Sequence, residues 1–181
     1  MPQRILIDTC VLYPTVMREM VLGVARTGLF QPLWSSRILE EWRRAAQKLG
    51  PEGALQAEAE IALLRVAWPK AELPVALGEE RRLWLPDLDD VHVLAVAVAG
   101  NADSIMTLNA KDFPRGTLAE EGLTRVDPDF FLHEIWLDQP ELVASAASDV
   151  LSEARRLSGK PWDMRPLLKK ARLPRLAKAL G

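Results

Sequence analysis

Oxygen-bearing side chains gather at four places in this chain, each beside an apolar segment. Asp87, Asp89 and Asp90 stand in front of the run Val91 to Ala99. Asp8 closes the short run Arg4-Ile5-Leu6-Ile7, Glu40 and Glu41 follow Ile38 and Leu39, and Asn109 and Asp112 follow Ile105 to Leu108. An isolated buried charge is costly, so acids in such positions have two ordinary uses. They cap helices and face the positive end of the helix dipole, or they converge on a cation. Several carboxylates in one pocket raise one another's pKa, and a divalent ion removes that conflict. An all-oxygen donor set suits Mg²⁺ or Mn²⁺ rather than zinc. Such an ion polarises a phosphoryl oxygen, acidifies a bound water and stabilises a leaving oxygen. The chemistry implied is hydrolysis of a phosphate ester.

The elements that must position these groups follow an α/β order. Arg4 to Thr9 reads as a buried, central parallel strand with Asp8 at its carboxyl end, where sites form in open α/β sheets. Val16, Met20, Val21 and Val24 give a helix over Thr15 to Ala25, with Gly28 as its stop. Leu33-Trp34 is a short strand, and Ser35 or Ser36 caps the next helix. Ile38, Leu39, Trp42, Ala45, Ala46 and Leu49 form its buried stripe; spacing alone does not decide whether Glu40 or Glu41 faces inward. Pro51 opens a helix on which Leu55, Ala59, Ala62, Leu63 and Val66 repeat at helical intervals. Residues 69–82 read as connection, and Leu83-Trp84-Leu85 as a short strand or an approach to the acidic turn.

From Asp89 to Ala99 the sequence predicts a helix apolar all round, ended by Gly100-Asn101. Ser104 to Leu108 and Thr124 to Val126 are further strands, with one or two helical turns at 117–122 between them. Asp127-Pro128 starts a helix through Leu137, and two helical segments follow at about 140–158 and 163–179. Strands feeding helices in this order imply a parallel sheet.

Composition bounds the function. The chain has 181 residues, 49% of them hydrophobic, enough for one full domain plus an appendage. Cys10 is the only cysteine, and His92 and His133 are the only histidines, so a Cys-based zinc site and a disulfide framework are excluded. His92 reads as a structural histidine, since partners for a zinc site are missing. No apolar run is long enough for a bilayer and no signal-like segment opens the chain, so the expectation is a soluble, cytoplasmic protein without a membrane partner. The net charge of −2 hides an asymmetry: residues 155–181 hold nine Lys or Arg and one acid, Asp163. A basic tail on an acidic body fits a polyanion or acidic protein partner, and equally a solvated amphipathic helix.

Ile5-Leu6-Ile7-Asp8-Thr9, Ser35 to Trp42 with its Glu pair, Asp89-Asp90-Val91-His92-Val93-Leu94-Ala95-Val96-Ala97 and Ile105-Met106-Thr107-Leu108-Asn109-Ala110-Lys111-Asp112-Phe113-Pro114 together resemble a PIN-domain ribonuclease, of the kind that acts as the toxin in VapC-type toxin–antitoxin pairs. Order and spacing carry the resemblance over residues 3–135. It implies a three-layer α/β/α PIN-like fold with a central, mostly parallel sheet. It places a nuclease domain at 1–137 and a helical, basic C-terminal extension at 138–181.

The resemblance also implies a Mg²⁺- or Mn²⁺-dependent endoribonuclease, with a small antitoxin as partner and a homodimer as assembly. By position Asp8 and Asp90 match the first and third family acids, with Glu41 as the second and Glu40 behind it. Asn109 occupies the place where many members carry a fourth acid, and Asp112 either takes that role or caps the next turn. The catalytic set is therefore Asp8, Glu41, Asp90 and Asp112, and the metal set adds Asn109. Thr9 and Thr107 are placed to hydrogen-bond the acids, or else nearby backbone. Because of Asn109, the alternative is a weakened PIN domain that binds RNA or protein without turnover. A phosphatase acting on small esters ranks below both, since there is no Gly-rich phosphate loop.

Overall fold

Ile5, Leu6 and Ile7 have no exposed surface, and the strand they form, β1 (Gln3–Ile7), lies at the centre of the sheet. The computed structural model describes residues 1–181. Five strands stand in the order β3-β2-β1-β4-β5 and all run parallel: β2 is Phe30–Ser35, β3 Glu72–Leu73, β4 Ser104–Met106 and β5 Thr124–Val126. In register, Ile5, Leu6 and Ile7 face Ser104, Ile105 and Met106, while Trp34 and Ser35 face Glu72 and Leu73. Helices flank the sheet, so the chain has the α/β architecture that the sequence order implied. No helix is long and apolar enough to cross a membrane.

The chain divides into two compact units. The first comprises Met1–Tyr13 and Gln31–Arg125, the second Pro14–Phe30 and Val126–Gly181. This division follows packing and interleaves along the chain, whereas the boundary at 137/138 marks where the family resemblance ends.

The first unit contains α1 (Thr9–Leu12), α3 (Ser36–Gln47), α4 (Pro51–Ala67), α5 (Leu77–Glu80), α6 (Val91–Ala99) and α7 (Arg115–Glu120). Ser35 caps α3 by accepting from the Ile38 N–H at 3.2 Å, a contact that contributes about 1 kcal/mol. Ile38, Leu39, Trp42 and Ala46 are buried as expected, but Leu49 is 74% exposed because α3 ends before it. On α4 the buried residues are Ala57, Ile61 and Leu64. Leu55, Leu63 and Val66 face solvent, since apolar residues surround this helix and periodicity selects no single face. A 3₁₀ turn, Leu88–Asp90, leads into α6, whose Val91 to Ala97 are all buried, His92 included. Gly100 ends α6 where a Cβ would sit 2.3 Å from Leu73 Cδ1 and 2.9 Å from the Val96 carbonyl, so only glycine fits. Residues 69–82 hold β3 and α5 rather than plain connection, and Leu83 to Leu85 form no strand.

The second unit is helical: α2 (Thr15–Ala25), α8 (Pro128–Asp138), α9 (Pro140–Ser158), α10 (Met164–Lys170) and α11 (Pro174–Leu180). The single segment expected at 163–179 is broken in two. Arg172 adopts a left-handed φ of 64°, and Pro174 starts α11 at the position where proline is favoured. The basic tail buries Leu167, Leu168, Leu173, Leu176 and Ala177 and turns its Lys and Arg side chains outward. Asp129 of α8, itself buried, accepts from the N–H groups of Arg175 and Leu176 at 2.9 and 3.0 Å, and so caps α11 from a distant point in the chain.

Candidate active site

The sequence-predicted acids divide into two linked groups, both within the first unit. Asp8 follows β1 directly and caps α1: its Oδ1 accepts from the Thr9 N–H at 2.8 Å. Its Oδ2 accepts from Thr107 Oγ1 at 2.9 Å and from Cys10 Sγ at 3.3 Å. Thr9 also reaches across to α3, where its hydroxyl lies 3.0 Å from Glu41 Oε2 and 3.1 Å from the Ile38 carbonyl. The other carboxylate oxygen of Glu41 is hydrogen-bonded to Nε2 of the buried His92. One threonine therefore ties the first acid to the second, and α6 holds the second in place.

Glu40 meets other partners. Arg43 grips it in a fork at 2.9 and 2.7 Å, and Arg44 Nε adds a contact at 3.3 Å. Of the two glutamates that spacing leaves open, Glu41 is the one that meets Thr9 and His92. His92 is buried; its Nε2 meets Glu41, while its Nδ1 has no hydrogen-bond partner.

The second group lies at the loop ends. The carboxyl oxygens of Asp87, Asp90 and Asp112 lie within 4.8 Å of one another. Asp87 stands at the start of the acidic turn ahead of α6. It does shape the turn, accepting from the Asp89 N–H at 2.9 Å, but its carboxylate also joins the cluster. The signal was there as three acids in four positions; what could not be read was that the loop after β4 brings Asp112 to meet them. Asn109 is exposed, its backbone N–H donates to Thr107 Oγ1 at 3.0 Å, and no side-chain hydrogen bond ties it to the acids.

Electrostatics follow from this crowding. Asp90 has no hydrogen-bond or ion-pair partner for its carboxylate, and its pKa is pushed up to about 7. Burial is the largest cause, followed by the charges of Asp8, Asp87, Asp112 and Glu41. Burial also raises Asp8, and its three hydrogen bonds offset only part of that. For Glu41 burial again acts upward, but hydrogen bonds from His92 and Thr9, with the charges of His92 and Arg37, outweigh it and hold the group below its ordinary value. Burial and the neighbouring Asp8 push the Cys10 thiol up to about 12, which leaves it protonated and unreactive. Arg37, Glu40, Glu41, Arg44, Asp89 and Asp90 line an open cleft of about 550 Å³ beside these acids.

The donor set fits a hard divalent cation. It is made of oxygens, three carboxylates lie together with no Lys or Arg paired to them, and like charges at that spacing favour an ion that neutralises them.

Parallel strands that end in convergent carboxylates define an α/β domain with an acidic, cation-ready centre at the carboxyl end of its sheet. The family model described as PIN domain matches residues 4–111, more than half of the chain, and the chain belongs to the PIN domain family. Members of that family are generally nucleases. No curated protein and no solved structure matches the chain.

Proposed function

We propose that this chain is a Mg²⁺- or Mn²⁺-dependent endoribonuclease and the toxin of a VapC-type toxin–antitoxin pair. The observation that supports this most directly is the meeting of Asp90 with Asp112 and Asp87, next to the Asp8–Thr9–Glu41 link. Asp8, Glu41, Asp90 and Asp112 would hold the ion, with Asp87 and the amide oxygen of Asn109 as further donors. When bound, the cation supplies Lewis acidity toward a phosphoryl oxygen and the attacking water. Thr107 and Thr9 fix the direction of the Asp8 and Glu41 carboxylates, and His92 holds Glu41 from the core side. Asp112 restores the charge that Asn109 lacks, which favours a working nuclease over a domain that only binds. A small antitoxin and a second copy of the chain are the proposed protein partners, and the cytoplasm the proposed compartment.

The test is purified protein with Mn²⁺ and a mixture of RNA substrates. Cleavage by the wild type, lost in a folded Asp90→Asn variant and lost on chelation, is the expected result. Full activity in Asp90→Asn sinks the site assignment. RNA binding without cleavage under any metal would instead favour the binding module. The toxin role is tested by whether the adjacent gene encodes a small protein that binds this chain and suppresses cleavage.

A further inference from the structure

We propose that Arg37 and Arg44 are positioning residues that contact the phosphates of an RNA strand on either side of the bond to be cut. The proposal rests on the nuclease reading above and adds to it how the substrate is held. Both side chains line the cleft that Glu41 and Asp90 line. They lie seven residues apart on α3, two helical turns and about 10 Å along the axis, on one face of the helix. Glu41 lies between them, one turn beyond Arg37. Along α3 the two arginines thus bracket Glu41 within the lining of the cleft.

Neither arginine is consumed by the fold. Arg37 is 47% exposed and uses one nitrogen, Nη1, on Glu80 at 3.1 Å. Arg44 is 71% exposed and offers only Nε to Glu40, whose two oxygens Arg43 already holds. Exposed ion pairs of this kind add little stability, so their presence is not explained by it. Both Nη groups of Arg44 and the Nη2 and Nε of Arg37 remain able to donate.

The cleft has a need that these donors meet. Glu40, Glu41, Asp89 and Asp90 give it a surplus of negative charge over its two arginines, and that surplus repels a polyanion. Guanidinium forks suit phosphate oxygens, and phosphate contacts set register without reading sequence. Two such contacts about 10 Å apart along the helix need a substrate with phosphates on both sides of the cleavage point. An oligonucleotide meets that requirement and a mononucleotide does not.

The experiment compares the full chain with Arg37→Ala, Arg44→Ala, the two Arg→Lys variants and Arg65→Ala. Arg65 pairs with Glu72 and does not line the cleft, so it serves as the control. Initial rates on a short unstructured RNA with Mn²⁺ give KM and kcat, and fluorescence anisotropy in chelator over a range of salt gives binding. Each Ala variant is expected to raise KM roughly five-fold with kcat within about two-fold. Each should lower the slope of log affinity against log salt by about 0.7. The Lys variants should recover the slope but not the whole affinity, because they keep the charge and lose the fork. KM and slope unchanged in both Ala variants, with the wild type active, overturn the proposal alone; so does an equal loss in Arg65→Ala. A wild type that neither binds nor cuts RNA overturns the nuclease reading and this proposal with it. Arg44 is open enough that its removal leaves the fold intact, so a poorly folded Arg37→Ala does not block the test.

Discussion

Asp90→Asn should stabilise the protein in the absence of metal, and only at the alkaline end of its range. In the folded chain the Asp90 carboxyl is raised from 3.8 to about 7 by burial and four neighbouring acids. Below the unfolded value both states hold the proton and the site costs nothing. Between the two values the unfolded chain ionises first, so wild-type stability falls as pH rises; above the folded value the penalty is complete. Taken at face value the shift is worth about 4 kcal/mol. The group is half open to solvent, and screening reduces this to about 1–2 kcal/mol. Asparagine keeps the shape without the charge and removes the penalty. Urea unfolding in chelator, run from acid to alkaline pH, should show the variant ahead by that amount at about pH 8, roughly 3–6 °C in Tm. The two curves should merge toward about pH 4. A divalent ion added to the wild type should recover the same deficit by binding the folded state, and recover less in the variant. A variant no more stable than wild type at alkaline pH, or one ahead by the same margin at every pH, would refute the claim that the acids repel one another.

Glu41→Gln should lower kcat on RNA by about 100-fold, while Glu40→Gln loses only exposed ion pairs and stays within about two-fold of wild type; steady-state cleavage rates compare them. Asp112→Asn should cost activity on the scale of Glu41→Gln, and Asn109→Ala much less, because the Asp112 carboxylate lies within 4.8 Å of that of Asp90 and carries the charge that Asn109 lacks; the reverse order would move the fourth ligand back to Asn109. Asp129→Ala should destabilise the chain by about 2 kcal/mol, since it leaves two N–H groups of α11 without their charged acceptor. Hydrogen exchange should speed up first at Arg175 and Leu176.

What could be read in the sequence was whatever a few adjacent residues decide. β1, α2, α6 and β5 carry their own signals in apolar runs and helical spacing, and Ser35 and Asp127 act as caps where their types suggested. β3 was not legible because its two residues count as a strand only by pairing with Trp34 and Ser35. The break between α10 and α11 turns on a left-handed Arg172, a conformation that arginine does not advertise. The buried face of α4 was hidden because Leu55, Leu63 and Val66 compete with Ile61 and Leu64 for it. At the site, position nominated Asp8 and Asp90, the first by the strand end it follows and both by the order of acids that the resemblance supplied; residue type alone was not enough. It could not separate Glu40 from Glu41, which differ by one helical step and are told apart by Thr9 and His92. Nor could it show Asp87 meeting Asp112, which depends on two loops far apart in sequence.

The acids do not share the strain of assembly equally, and the reason lies in what holds each one. Asp8 follows a strand with no exposed surface and spreads its charge over Thr9, Thr107 and Cys10. Glu41 stands on a helix fixed by Ile38, Leu39 and Trp42, and is hydrogen-bonded to His92 and Thr9. These two are rigid, and Glu41 is held below its ordinary pKa. Asp90 has burial and repulsion with no donor to offset either. Burial raises Asp8 as well, but at the first turn of α6 the Asp90 carboxylate meets both burial and four neighbouring acids with no donor at all. The backbone that carries it is anchored, because Val91, Val93 and Leu94 behind it are packed in the core. A cation placed among these acids would relieve that repulsion at Asp90, where no hydrogen bond does so.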